Sequence, residues 1–182
     1  SGYLWVRPDK QVDIHPLPIS HGWAMPEDFG PRFRLEFDWQ GTADPTAHLC
    51  IPAAIDELGG LYEGGLAALM ARNHALAVSA RHVLCERLSI TPPCPDDLLP
   101  GMAALPLRED TDLGTADHTF WHPLARELFE QAGIEVVVNR WPKRTSRLLR
   151  ISCQAYNTLD QYEYLADELA RRLMTIRGVG PV

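Results

Sequence analysis

The order of apolar patterns along this chain predicts an α+β fold. A long stretch of 3.6-residue periodicity occupies the middle of the chain. Beyond it lie three short runs of strand character, interleaved with two helical stripes in the order β, α, β, β, α. Strands this short bury their apolar positions most simply as a small sheet with helices on one face. No internal repeat or low-complexity tract interrupts the pattern.

From the N-terminus, "SGYLWVRP" reads as a strand from its second residue, closed by Pro8. A strand with no lead-in pairs elsewhere, so residues 1–182 are expected to be the later part of a longer polypeptide. Residues 9–40 read as irregular, punctuated by Pro16, Pro18, Pro26 and Pro31. Within them "FRLEFDW" (33–39) alternates like a short strand. An irregular stretch of this length is more often a binding or interface loop than a linker.

Asp44 followed by Pro45 reads as an N-cap and first helical residue. That helix should run to about Leu58 and break at Gly59-Gly60. A second should run from about Leu61 to Arg87, with Leu66, Leu69, Met70, Asn73, Leu76, Ala77, Ala80, Val83 and Leu84 at helical spacing. At ~1.5 Å per residue it would be about 40 Å long, suited to bridging two bodies. The Pro-rich "TPPCPDDLLPG" (91–101) marks a boundary. The expected division is residues 1–88, the end of a large domain with its interface loop and bridging helices, and residues 89–182, a small α+β domain.

In the second part, 102–107 reads as a strand. Residues 123–132 read as a helix burying Leu124, Leu128 and Phe129 and stopping at Gly133. "IEVVVNRW" (134–141) and "RLLRISCQAY" (147–156) read as strands. Thr158 with Gln161 forms a capping box for a last helix carrying Leu165, Leu169 and Leu173.

Composition narrows the function classes. Hydrophobic residues make up 46% of the chain, enough for a packed core. The net charge of −7 argues against a general nucleic-acid binder. No apolar run approaches the roughly 18 residues of a membrane span. Cys50, Cys85, Cys94 and Cys153 form no C-x-x-C pair, which fits free thiols in a reducing cytoplasm. The cations are fifteen Arg with Lys10 and Lys143, either a reflection of base composition or in part a means of binding carboxylate or phosphate.

Period two places Arg150 on the polar face of its strand, opposite Leu149, Ile151, Cys153 and Ala155. There it is either a solvated side chain or a guanidinium free to clamp a carboxylate with two parallel hydrogen bonds. "RWPKRTSRLLR" (140–150) is either a solvated turn or a collar attracting anions. The Gly41-Thr42 turn in "DWQGTADPTA" exposes backbone N–H groups and a hydroxyl, suited to an anion or to an ordinary turn before a helix. His118 and His122 have metal-ligand spacing, but Pro123 starts a helix after the second, and no metal site is expected. No G-x-S-x-G, G-x-x-x-x-G-K or G-x-G-x-x-G motif occurs.

Three stretches in order resemble one family. "SGYLWVR" resembles the strand after the cofactor lysine of class V, fold-type I, pyridoxal-phosphate (PLP) enzymes. "HPLPISHGW" with "FRLEFDWQGTADPTAHLCIPAAIDELGG" resembles the segment that follows it. "LLRISCQAYNTLDQYEYLADEL" resembles the C-terminal motif. The pattern is similar to the isopenicillin N epimerase-like group, over nearly the whole chain.

The resemblance implies a homodimer acting on a small amino-acid substrate at its α-carbon, by epimerase, lyase or aminotransferase chemistry. It implies that Gly41 and Thr42 bind the cofactor phosphate of the other subunit, that Arg150 binds the substrate α-carboxylate, and that His21 and Trp23 line the active site. It also places the Schiff-base lysine just before Ser1, so no catalytic residue is assigned within the chain; neither Lys10 nor Lys143 fits. Cysteine desulfurases of this class carry a catalytic Cys where this chain reads "DHTFWHPL" (117–124), which disfavours persulfide chemistry. The main rival expectation is a non-catalytic dimerisation or binding module derived from the same family.

Overall fold

A computed structural model describes residues 2–109 and 122–175. The chain divides into two compact units, 1–57 and 58–182.

The first unit contains 3-10 turns at Pro8–Asp13, His21–Ala24 and Glu27–Phe29, helix α1 (Arg32–Phe37) and helix α2 (Thr46–Leu49); α3 (Ile51–Gly60) continues past its end. Gly2–Arg7 forms no strand, contrary to the sequence expectation; Tyr3, Leu4 and Trp5 are exposed and pair with no strand among the described residues. "FRLEFDW" is also not a strand. Its alternation places Phe33 and Phe37 four apart, and on helix α1 their rings stack at 4.5 Å while Arg34 pairs with Asp38 at 2.7 Å. Period two and period four coincide in so short a run, and the i,i+4 contacts decide for helix.

The expected single helix after Asp44 is two. The N-cap is Pro45, one residue later than expected; Asp44 precedes it, and its Oδ1 accepts the Thr46 N–H at 3.0 Å. Helix α2 then lasts four residues before α3 begins. Among its described residues the first unit buries only Gly22 and Glu36, so polar contacts rather than an apolar core define its shape.

In the second unit, α4 (Gly65–Leu88) leads to strand β1 (Met102–Leu107), helix α5 (Pro123–Ala132), strands β2 (Val137–Asn139) and β3 (Arg147–Ser152), and helix α6 (Leu159–Thr175). The three strands form an antiparallel sheet in the order β1-β3-β2. The expected β, α, β, β, α order is therefore present. Ala103, Leu105 and Leu107 of β1, Val138 of β2, and Leu149 and Ile151 of β3 face the core with α4, α5 and α6. Leu84, Leu105, Leu128, Leu149 and Leu169 are fully buried in it. The opposite sheet face carries Met102, Arg150 and Ser152, all exposed.

Two strands are shorter than the sequence patterns. Only 137–139 of "IEVVVNRW" and 147–152 of "RLLRISCQAY" pair, because β2 is an edge strand and the chain turns at Gln154–Asn157. On α5, Ala125 is buried in place of Phe129, which is 47% exposed. Gly133, at φ +66°, closes α5 in the left-handed conformation expected of a C-cap glycine. Of the expected capping box the structure shows one half: Gln161 Oε1 accepts the Thr158 N–H at 3.3 Å.

Helix α4 lies wholly in the second unit, and its buried positions run from Leu69 to Cys85. Residues 88 and 89, where the sequence pattern changes, fall in the same unit. The Pro-rich segment that follows is tied back by Arg81, which is 1% exposed; its Nη1 donates to the Cys94 carbonyl at 2.7 Å and its Nη2 pairs with Asp96.

Candidate functional site

The predicted site residues fall in both units. In the first, His21 and Trp23 sit on the 3-10 turn His21–Ala24, and both side chains are exposed. Two features set this turn. Ser20 Oγ accepts the Gly22 N–H at 3.3 Å and donates to the Glu36 carbonyl at 3.5 Å. Arg32, the first residue of α1, donates to the carbonyls of Gly22 (2.7 Å), Trp23 (3.2 Å) and Met25 (2.8 Å). A guanidinium offers five donors in a fixed fork, which is why one side chain can close three carbonyls.

Beneath the turn, Glu36 is 2% exposed; its Oε2 lies 2.7 Å from His15 Nδ1, and His15 meets the Trp23 ring edge-on at 5.4 Å. Gly22 is there for space: a Cβ would lie 1.7 Å from the Leu35 carbonyl oxygen. Sequence reading singled out His21 and Trp23 but missed Arg32 and Glu36. Their only signal was the i,i+4 spacing of opposite charges.

Gly41 and Thr42 are exposed between α1 and α2. Gly41 has φ +145°, a conformation that side chains rarely adopt, and nothing lies within 4 Å of where its Cβ would be. The turn is thus open for an anion to approach its backbone. The neighbouring helix N-terminus contributes less than the sequence implied. Helix α2 has four residues, and the Asp44 carboxylate already takes its N–H at Thr46. The Thr46 hydroxyl and then that N–H hold the Asp44 carboxyl below its ordinary pKa.

In the second unit, Arg150 projects from the solvent face of β3, as its alternation requires, and pairs across the sheet with Ala104 and Val137. It lines an open groove of about 990 Å³ whose lining comes from α5, the 133–139 segment, the end of β3 and the start of α6. Asn139, Tyr156, Asn157 and Gln161 contribute polar atoms to the groove, and Ile134, Val136 and Val137 contribute apolar surface. Arg150 offers the groove one fixed positive charge for a carboxylate, and Glu135 lines the same groove with a negative one beside neutral hydrogen-bonding groups.

Burial pushes the Cys85 and Cys153 thiols above their ordinary pKa, the opposite of what a reactive thiolate needs. His122 caps α5, its Nδ1 accepting the Leu124 N–H at 3.1 Å. His118 and residues 117–121 of "DHTFWHPL" lie outside the described residues. Among the described residues no three His, Cys, Asp or Glu side chains gather as metal ligands, and no helix is long and apolar enough to cross a membrane.

No protein-family model matches the chain. Individual relatives do. It is 32% identical over 182 residues to an isopenicillin N epimerase of Streptomyces clavuligerus, a match covering 92% of this chain and 42% of that protein. It is 30% identical over 179 residues to the Amycolatopsis lactamdurans isopenicillin N epimerase, with 92% and 42% covered. It is 26% identical over 184 residues to an L-cysteine desulfhydrase of Arabidopsis thaliana, with 93% and 39% covered.

The chain is homologous to the isopenicillin N epimerase-like enzymes of the PLP-dependent class V family. It spans about two-fifths of the length of the curated relatives it matches. The resemblance read from three sequence stretches is therefore shown, and PLP is the cofactor of the homologous enzymes.

Proposed function

We propose that residues 1–182 form the C-terminal portion of a PLP-dependent enzyme that acts at the α-carbon of an amino acid or an amino-acid derivative. The observation that carries the reading is Arg150. Its guanidinium stands on the exposed face of a sheet whose other face is packed core, lining a groove, in a chain homologous to PLP enzymes. Epimerisation, lyase cleavage and transamination all begin by binding an amino acid through its carboxylate, and relatives named for two of these chemistries match the chain.

The donor set fits the cofactor's phosphate end. Gly41 leaves the backbone open, and the exposed Thr42 supplies a hydroxyl. In this reading Gly41 and Thr42 hold the phosphate of a partner subunit. When bound, PLP supplies an electron sink for charge developing at the substrate α-carbon.

The chain's own residues bind and orient. Arg150 holds the α-carboxylate through two parallel hydrogen bonds, which fixes the direction of the α-C–H. His21 and Trp23, on their clamped turn, wall the substrate and exclude water. The Schiff-base lysine that moves the proton would lie N-terminal to Ser1. Residues 1–88 would complete the large domain and dimer contacts, and residues 89–182 would form the small domain over the substrate. The weakly buried first unit, 1–57, fits packing against another body, as do exposed Ile51, Ile55 and Leu58 at helical spacing on α3; α4 falls in the second unit, so the division at residue 88 rests on the resemblance alone.

The test is Arg150→Ala in the full-length protein. KM for amino acids should rise by tenfold or more, the loss of a charged hydrogen-bonded pair of about 1.5–3 kcal/mol, with PLP still bound. Unchanged KM would remove the carboxylate role.

A further inference from the structure

Arg150 sits at a weak point of its sheet. The register of β2 starts with the pair Val137↔Arg150, so beyond Arg150 strand β3 has no partner on that side. On the other side the pairing with β1 ends at Met102↔Ser152, followed by one bond from the Cys153 N–H to the Gly101 carbonyl at 2.7 Å. A strand end held on one edge frays unless something else holds it.

What holds it is α4. Arg72 Nη1 donates to the Gln154 carbonyl at 3.1 Å and Nη2 to the Asn157 carbonyl at 2.9 Å, closing both ends of the turn that follows β3. The next residue, Asn73, donates from Nδ2 to Gln154 Oε1 at 2.8 Å, and that oxygen also takes the Ala155 N–H at 2.9 Å. Asn157 Oδ1 accepts the Gln154 N–H at 3.0 Å, and Asn157 Nδ2 donates to Gln161 Oε1 at 3.0 Å, extending the lattice to α6. Tyr62 supports the guanidinium from its face, 5.8 Å from the ring centroid. Arg150 itself has no hydrogen bond or ion pair among the described residues.

We propose that Arg72, with Asn73, is a positioning residue for Arg150: it straps the end of β3 to α4 so that the Arg150 fork is presented in one orientation. The inference rests on the carboxylate role given to Arg150 above. A bidentate pair requires both N–H vectors to align with both oxygens, so it is more sensitive to a shifted strand end than a single hydrogen bond is. Carboxylate binding should therefore weaken more than binding of the rest of the molecule when the strap is cut.

The experiment is a double-mutant cycle in the full-length PLP-loaded protein, using L-alanine and L-alaninamide as probes. The two differ only in carboxylate against carboxamide. Affinities are read by calorimetry for wild type, Arg72→Met, Arg150→Ala and the double variant. Arg72→Met should reduce the preference for L-alanine over L-alaninamide roughly tenfold while changing L-alaninamide affinity little, and should have no further effect on that preference in the Arg150→Ala background. Arg72→Lys, which keeps a donor, should recover part of the preference.

Equal losses for both probes, or losses that add to those of Arg150→Ala, would overturn the positioning role and leave Arg72 as general structure. If Arg150→Ala itself leaves the preference unchanged, the carboxylate reading fails and the inference falls with it. Should Arg72→Met not fold, Arg72→Lys and Asn73→Ser are compared in the same cycle, and an unchanged probe preference in both would overturn the proposal.

Discussion

Gly22→Ala tests how the turn bearing His21 and Trp23 is built. The added Cβ would lie 1.7 Å from the Leu35 carbonyl oxygen, 2.3 Å from its carbon and 2.9 Å from the Glu36 nitrogen. All three are backbone atoms of α1, so no flexible side chain can yield. Ordinary contact begins near 3.4 Å, so the turn must withdraw by about 1.7 Å. That stretches the 2.7 Å bond from Arg32 to the Gly22 carbonyl beyond hydrogen-bonding range. Loss of a charged hydrogen bond costs about 1.5–3 kcal/mol and the remaining crowding about 1–3 kcal/mol, for a local loss of about 2.5–6 kcal/mol. The assay is amide hydrogen exchange of the full chain, read over residues 20–37. Exchange there should accelerate by at least a hundredfold, while β1 and β3 keep their protection. Gly60→Ala, with open space around its Cβ, serves as the control and should change little. Unchanged exchange in Gly22→Ala would refute the packing of this turn.

Other predictions follow from the same structure. Arg81→Ala should destabilise the second unit by about 3 kcal/mol, because the Cys94 carbonyl loses a charged donor and a buried side chain leaves a void; Arg81→Met, which refills the space, should cost about half as much in a denaturant melt. The Glu168 carboxyl is held down at about 2, first by Arg171 and then by Arg172, against 4.5 ordinarily. A depressed carboxyl stabilises the fold above its unfolded pKa and loses that contribution as pH falls from 4.5 through 2, so wild type should lose stability across that window more steeply than Glu168→Gln in acid titrations followed by circular dichroism. Ser89 ends α4 at φ +54° without being glycine, so Ser89→Gly should raise stability by about 0.5–1 kcal/mol in thermal melts. Thr42→Ala in the full-length protein should weaken PLP retention by about 1 kcal/mol, measured by cofactor release on dialysis; equal retention would remove the phosphate role.

The sheet and its helices were legible in the sequence because their apolar patterns repeat. Met102–Leu107 and Pro123–Ala132 have the bounds expected, and alternation placed Leu149 and Ile151 inward and Arg150 outward. The first unit was less legible. It buries Gly22 and Glu36 rather than an apolar stripe, so periodicity had nothing to report there, and the first five residues of a seven-residue alternation proved to lie on α1. The supports of the candidate site were also hidden. Arg72 and Gln154 are 82 positions apart, and Arg32 works through backbone carbonyls, which carry no side-chain signature. Arg81, buried in α4 to anchor a Pro-rich segment, sat where an apolar residue would fit the helical stripe.

The most direct test of the account is the cofactor content of the full-length protein purified from cells, followed by titration with L-cysteine and L-alanine. The account predicts about one PLP per chain and a change in the cofactor's visible absorbance on adding an amino acid, abolished at the same concentrations by Arg150→Ala. A protein that neither retains PLP nor takes it up when supplied in excess would contradict the account and leave a binding module in its place.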